Sequence, residues 1–281
     1  YKALGQEKPF YPNDPYFFYN PIERPAFPGQ WHLANQAPSS MDFFSTSQQM
    51  WFTLENAEID AGLLGAWELG YTGEGVIIGI VDGGVDGAHY DIAPNYSADL
   101  SKNFSANPAL AAAPQAPRGG GDNHGTAVAG VAAARGGNEM GGTGAAPYAR
   151  IAALRINLGE ETPEDPEPGI QDFLDAYYWQ SGVNPVTGAI EGVAAIHVKN
   201  HSYGQDEPFV FEDEKSNAAL TLTAENGVIH VLAAGNERGT PSEDTNKIML
   251  SNNSSVINVA AMGSDGSFSG YSNYGSSGFV T

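Results

Sequence analysis

No cysteine occurs in the 281 residues, which excludes a disulfide framework, a thiolate metal site and a cysteine nucleophile. Positive charge is also scarce. Twelve Lys and Arg stand against 33 Asp and Glu, a formal charge of −21, which disfavours nucleic acid and anionic membrane as partners and favours cationic ligands or metal ions. Spread along the chain, the same acid also confers solubility. No apolar run approaches spanning length, so no membrane span is expected. The aromatic, Pro-rich start "YKALGQEKPFYPNDPYFFYN" has neither the basic nor the apolar region of a secretion signal, so a cytosolic chain or one with its signal removed is expected.

What is present suffices for a core: 41% of residues are hydrophobic, enough for one large domain or two small ones. Residues 1–57, dense in Pro, Asn, Ser and aromatics and lacking periodicity, read as an ordered, mostly irregular arm laid over a domain. The pattern then changes. "IDAGLLGAWELG" predicts a short helix and "GEGVIIGIVDGG" an apolar strand ending at Asp82. Further strands are expected at 149–156, 194–202, 227–236 and 254–262, with helices over His124–Arg135, about Gly169–Gln180 and Glu212–Asn226. Nearly continuous apolar strands alternating with helices imply α/β architecture, a mostly parallel central sheet with helices on both faces. Asp82, Asn200, Ser202 and Asn236 fall at or near the C-terminal strand ends, where ligands bind in open α/β sheets. The Ala/Pro/Gly stretch 105–121 reads as a mobile insertion and the acidic stretch 159–169 as an exposed loop.

Three residues stand out, each with an ordinary explanation. Asp82 precedes Gly-Gly and fits a turn former or helix cap as well as an acid. His124 heads "HGTAVAG", whose small residues demand close packing against a sheet, and fits a satisfied polar residue at a helix start as well as a base. Asn236 in "VLAAGN" fits a turn as well as an amide donor aimed into a cleft.

Taken in order, "IVDGGVD", "DNHGTAVAG", "NHSYG" and "VLAAGNERG" resemble the subtilisin superfamily of serine proteases. The segments "PNDPYF", "QWHLANQ", "GAWELGYTGEGV" and "YSNYGSSG" are similar to its kexin and furin branch, so the resemblance covers most of 11–281 with insertions at 105–121 and 159–169. It implies a subtilisin-like three-layer fold, with 58–281 an incomplete catalytic domain and 1–57 an arm packed on it. It also implies Asp82 as the orienting acid, His124 as the general base and Asn236 as an oxyanion donor. The family's nucleophile lies in a Gly-Thr-Ser motif after the Asn. That motif is absent here, and "GSSG" at 275–278 falls too early to replace it. The serine is therefore expected on a segment following Thr281, carried by a C-terminal remainder as a second chain or cut off by truncation.

The resemblance also implies a peptide or protein substrate. Ser202, Tyr203 and Gly204 would pair with its backbone, Gly235 would form the opposite wall of the S1 pocket, and Asp122 would contribute to S2. Glu207 stands where the branch carries an acid that selects Arg or Lys. The branch's other acid is replaced near Met249, with Asp206, Glu243 or Asp244 as stand-ins. A calcium ion is implied, held by Asp14, Asp91, the Asn138 side chain and the carbonyls of Arg135, Met140 and Gly142, with a second, weaker site near Glu207 and Asp244. The expected protein is thus a secreted or periplasmic serine endopeptidase cleaving after basic residues. A peptide-binding pseudoprotease or inactive truncated fragment is the alternative. A phosphate-binding α/β domain is disfavoured, since no Gly-x-Gly-x-x-Gly follows the first strand.

Overall fold

The computed structural model describes residues 9–17, 29–30, 32–35, 40–45, 50–55, 59–104, 123–156, 158, 169–204 and 214–278. Two strands, β1 (Ser40–Ser45) and β2 (Met50–Glu55), pair antiparallel. That stretch was expected to be mostly irregular. Its alternation is masked by adjacent aromatics, Phe43-Phe44 and Trp51-Phe52, yet Phe, Trp and Thr suit a pleated strand. The helix α1 (Leu63–Glu68) follows. Next come β3 (Ile77–Asp82), β4 (Lys102–Asn103), α2 (His124–Ala133), β5 (Arg150–Arg155), α3 (Ile170–Tyr178), β6 (Val198–His201), α4 (Glu214–Glu225), β7 (Ile229–Ala233) and β8 (Val256–Val259). Six strands form one parallel sheet in the order β4-β5-β3-β6-β7-β8.

Side-chain alternation along β3 and β5 explains the layers. Ile80, Ile151 and Ala153 meet Ala129 and Ala133 of α2 on one face. On the other, Val81, Ala152 and Leu154 meet Ala176 and Phe173 of α3. Beside α3, the α4 residues Ala219 and Leu220 pack with Tyr177 and Leu232. A fourth cluster ties the N-terminal residues down: Phe10, Phe17 and Leu33 surround the fully buried Trp67 of α1. Phe10 meets the indole edge-on at 5.3 Å, and Trp67 Nε1 donates to Ala145 O at 3.1 Å.

Inside β6 and β7 the polar residues Lys199, His201 and His230 are buried. Lys199 has no exposed surface. Its Nζ donates to the carbonyls of Ala176, Tyr177 and Trp179, so three acceptors at the C-terminal end of α3 meet the three N–H bonds of an ammonium. Burial pulls that ammonium down to about 7. Beside it runs a continuous chain of hydrogen bonds. The Thr223 hydroxyl donates to Ala219 O at 2.7 Å, so its oxygen accepts from His230 Nε2 at 2.8 Å. His230 Nδ1 then accepts from His201 Nε2 at 3.0 Å, and His201 Nδ1 from the Tyr203 hydroxyl at 2.8 Å. Tyr203 Oη lies 3.1 Å from Tyr177 Oη. Every ring nitrogen is satisfied with both histidines neutral, and Tyr203 is anchored by its hydroxyl directly after β6.

Candidate active site

The end of β3 carries Asp82, only 1% exposed, whose Oδ1 accepts from Gly83 N at 2.8 Å. His124 opens α2 with its Nδ1 3.0 Å from both carboxylate oxygens of Asp82, while more than half of its side chain is exposed. A carboxylate only accepts, so Nδ1 carries the proton and the basic lone pair is on Nε2. A buried acid thus fixes the tautomer and orientation of a solvent-facing imidazole.

The approach depends on Gly125. A Cβ there would run into Gly84 O and come within 2.9 Å of Asp82 Oδ1. The Gly84 backbone cannot yield cheaply, so Gly125→Ala should push α2 off the sheet edge. We expect it to destabilise by about 1–3 kcal/mol, the usual range for forcing a methyl into a packed site, read as a lower urea midpoint. An unchanged midpoint would refute the account of this helix.

Register pairs Val81 with His201 and His201 with Leu232, so β3, β6 and β7 end side by side. Ser202, Tyr203 and the exposed Gly204 leave the sheet next to Asp82, with Ser202 Oγ accepting from Asn200 Nδ2 at 2.8 Å. The Tyr203 side chain turns inward to Phe173 and Tyr177, which leaves the backbone as the part of this segment suited to a peptide. Gly235, at φ +103°, carries the chain from β7 to the exposed Asn236 at the same edge. Hydrogen bonds from Gly239 N and the Tyr274 hydroxyl lower the Glu243 carboxyl from its ordinary value. Asp244 accepts from Asn246 N at 3.0 Å. Asp122, Asp206 and Glu207, and the stretches 105–121 and 159–168, lie outside the described residues.

The residues expected to hold calcium also converge. Asp14 is fully buried, and its oxygens accept from Gly137 N at 2.8 Å and Asn138 N at 3.1 Å. From the other side of the same loop, Asp91 Oδ2 accepts from Gly142 N at 3.1 Å, while its Oδ1 is buried with no hydrogen-bond partner. Burial pushes the Asp91 carboxyl up and the nearby Asp14 charge pushes it further, against the opposing bond from Gly142. Asn138 Oδ1 accepts from Met140 N at 3.0 Å and Arg135 N donates to Asp91 O at 2.7 Å. The carbonyls of Arg135, Met140 and Gly142 accept no hydrogen bond from a described residue. Gly141 makes the loop possible, because a Cβ there would collide with the Asp91 carboxylate. Among the described residues no three His, Cys, Asp or Glu side chains cluster as metal ligands. This donor set has two carboxylates, with an amide and carbonyls as its remaining members. Two adjacent buried carboxylates, one with an orphaned oxygen, suit a hard cation.

A parallel α/β sheet flanked by helices, with an acid–histidine pair at its carboxyl edge, defines the subtilisin-like class of fold. The chain belongs to the subtilase family, whose family model matches residues 73–278. It is similar to kexin from Saccharomyces cerevisiae, 29% identical over 249 residues that cover 86% of this chain and 25% of kexin. Neuroendocrine convertase 2 from Bos taurus is 34% identical over 135 residues, 48% of this chain and 19% of that protein. These two matches support the kexin and furin branch. The chain spans about a quarter or less of the length of these curated relatives. Among solved structures, a protease from Pseudoalteromonas arctica superposes with a TM-score of 0.66 at 25% identity, covering 95% of this chain and 70% of that one.

Proposed function

We propose that this chain supplies most of the catalytic site of a subtilisin-like serine endopeptidase, with 58–281 as catalytic domain and 1–57 as an arm laid on it. The observation that carries the reading is the 3.0 Å contact between the buried Asp82 carboxylate and His124 Nδ1. In this arrangement His124 Nε2 takes the proton of an attacking serine hydroxyl and later returns it to the leaving amine. Asp82 stabilises the imidazolium that forms, and the Asn236 amide donates to the oxyanion. The serine is expected from a segment following Thr281. A substrate peptide lies extended along Ser202–Gly204, opposite Gly235. Cleavage after Arg or Lys, with Glu207 in the place of the selecting acid and Asp122 contributing to S2, is supported by the charge of −21 and the likeness to kexin. Family likeness also favours a secreted or periplasmic protein; no helix among the described residues is long and apolar enough to cross a membrane.

A serine-directed fluorophosphonate should label the full-length protein at a serine beyond Thr281, with any second chain identified by denaturing mass measurement. Absence of label on the full-length protein would overturn the assignment. Sequencing the peptides released from casein tests the preference for basic residues.

Calcium belongs to the same reading. Asp14, Asp91, the Asn138 side chain and the carbonyls of Arg135, Met140 and Gly142 would hold it. Bound there, a calcium ion would offset the charge of the adjacent acids, and its ligands would join residues 9–17 to the loop after α2. A ligand that binds only the native state contributes about 2.7 kcal/mol at a hundredfold excess over Kd. Chelation should therefore lower the melting temperature by roughly 5–10 °C. A melting temperature indifferent to EDTA and to added calcium would remove the ion.

A further inference from the structure

Asn236 extends from an exposed turn, and such a turn does not by itself hold an amide still enough to meet an oxyanion. Here the turn is gripped from both sides. Asn273, 1% exposed and 36 residues beyond Glu237, donates its backbone N–H to Gly235 O at 3.0 Å. Its side-chain Oδ1 accepts from Glu237 N at 2.7 Å, so one residue holds the backbone immediately before and after Asn236. Glu237 folds back over the turn. Its Oε2 accepts from Asn236 N at 2.8 Å and from Asn273 Nδ2 at 2.7 Å, and the same Nδ2 reaches Ser242 O at 3.2 Å. Gly235 leaves the room this needs, since a Cβ on it would overlap both Glu237 Oε2 and Asn273 Nδ2. These bonds satisfy the backbone N–H groups of Asn236 and Glu237 internally, while Asn236 itself is exposed.

We infer that Glu237 and Asn273 are positioning residues for the oxyanion donor, a carboxylate–carboxamide clamp that fixes Asn236 at the sheet edge. The inference rests on the proposed role of Asn236. Both act through the bonds they make to the backbone of residues 235–237. Glu237 serves as a hydrogen-bond acceptor, so its charge is dispensable and a glutamine oxygen replaces it, whereas a side chain without an acceptor does not.

The test uses full-length protein with casein, whose varied peptide bonds make the assay independent of cleavage preference. Kinetics are recorded for Glu237→Leu, Glu237→Gln, Asn236→Ala and the Asn236→Ala/Glu237→Leu double variant, each below its melting temperature. Expected is a fall in kcat of roughly 10- to 100-fold for Glu237→Leu with KM changed less than about threefold, and Glu237→Gln within about threefold of the parent. On the Asn236→Ala background, Glu237→Leu should cost nothing further, because a positioning residue has nothing left to position. Should Glu237→Leu not fold, Glu237→Ala and Asn273→Ser enter the same cycle. Wild-type kcat in the acceptor-less variants, or full additivity with Asn236→Ala, overturns the clamp. An Asn236→Ala variant with unchanged kcat instead defeats the underlying role of Asn236, so the two failures are distinguishable.

Discussion

Replacing His124 by alanine in the full-length protein is expected to lower kcat on the order of 10⁴-fold or more, the scale of loss when the base of such a triad is removed. The cooperative unfolding transition should survive. His124 sits at the first position of α2 with more than half its side chain exposed, so the substitution opens no cavity and costs little helix. Asp82 differs because it is buried. Asp82→Asn keeps the volume but offers an amide N–H where Nδ1–H must donate, which favours the tautomer with its proton on Nε2. That variant should lose activity on the order of 10⁴-fold while retaining its melting temperature more closely than Asp82→Ala. Turnover of casein by His124→Ala at the parental rate would refute the assignment.

The second large effect concerns pH and the buried histidine pair. In the folded protein both imidazoles are neutral. Burial, with the Lys199 charge beside it, pulls His201 down to about 3, and burial, with the adjacent His201 ring and the Lys199 charge, pulls His230 well below its ordinary value. Geometry gives the same direction. Protonating either ring sets N–H against N–H between His201 Nε2 and His230 Nδ1, or against the hydroxyl that Tyr203 donates to His201. The other titratable groups facing the pair are Lys199 and Tyr177, neither of which relieves it. Unfolded, both histidines titrate near 6.5. Below that pH the unfolded chain therefore binds more protons than the folded one, and stability falls as pH falls. The contribution is fully present above about pH 7 and is lost progressively toward the folded value. For two groups this amounts to about 4 kcal/mol between pH 7 and pH 5. Urea unfolding at the two pH values measures it, and imidazole NMR gives an independent check. A folded-state titration of either ring near 6.5 would refute it.

How much of this could be read beforehand depended on how local the determinant was. Asp82 was legible because an apolar strand ending in Asp-Gly-Gly is a local pattern. The small residues from Gly125 onward announced a helix that must lie close to a sheet, and the Cβ clash at Gly125 gives the reason. The parallel sheet followed from continuous apolar strands. The two-residue β4 carries no periodicity, and adjacent aromatics hid the β1–β2 pair. The burial and pairing of Lys199, His201 and His230 carried no sequence signal, since no local pattern tells a solvent-facing polar strand position from one beneath a helix. The Asn273 grip on residues 235–237 joins segments 36 residues apart and exists only once the chain has folded.

The bonds from Gly137 and Asn138 to Asp14 span 123 and 124 residues of chain. For an endopeptidase the nearest substrate is another copy of itself, and what it can cut is whatever segment opens. Endurance then depends on how often the strip 9–17 detaches and on how fast the molecule opens. Detachment exposes the face of Trp67 and the loop that follows α2. Under the proposed endopeptidase activity, the single buried carboxylate of Asp14 would act as a fuse, governing how long the molecule outlives its own proteolysis.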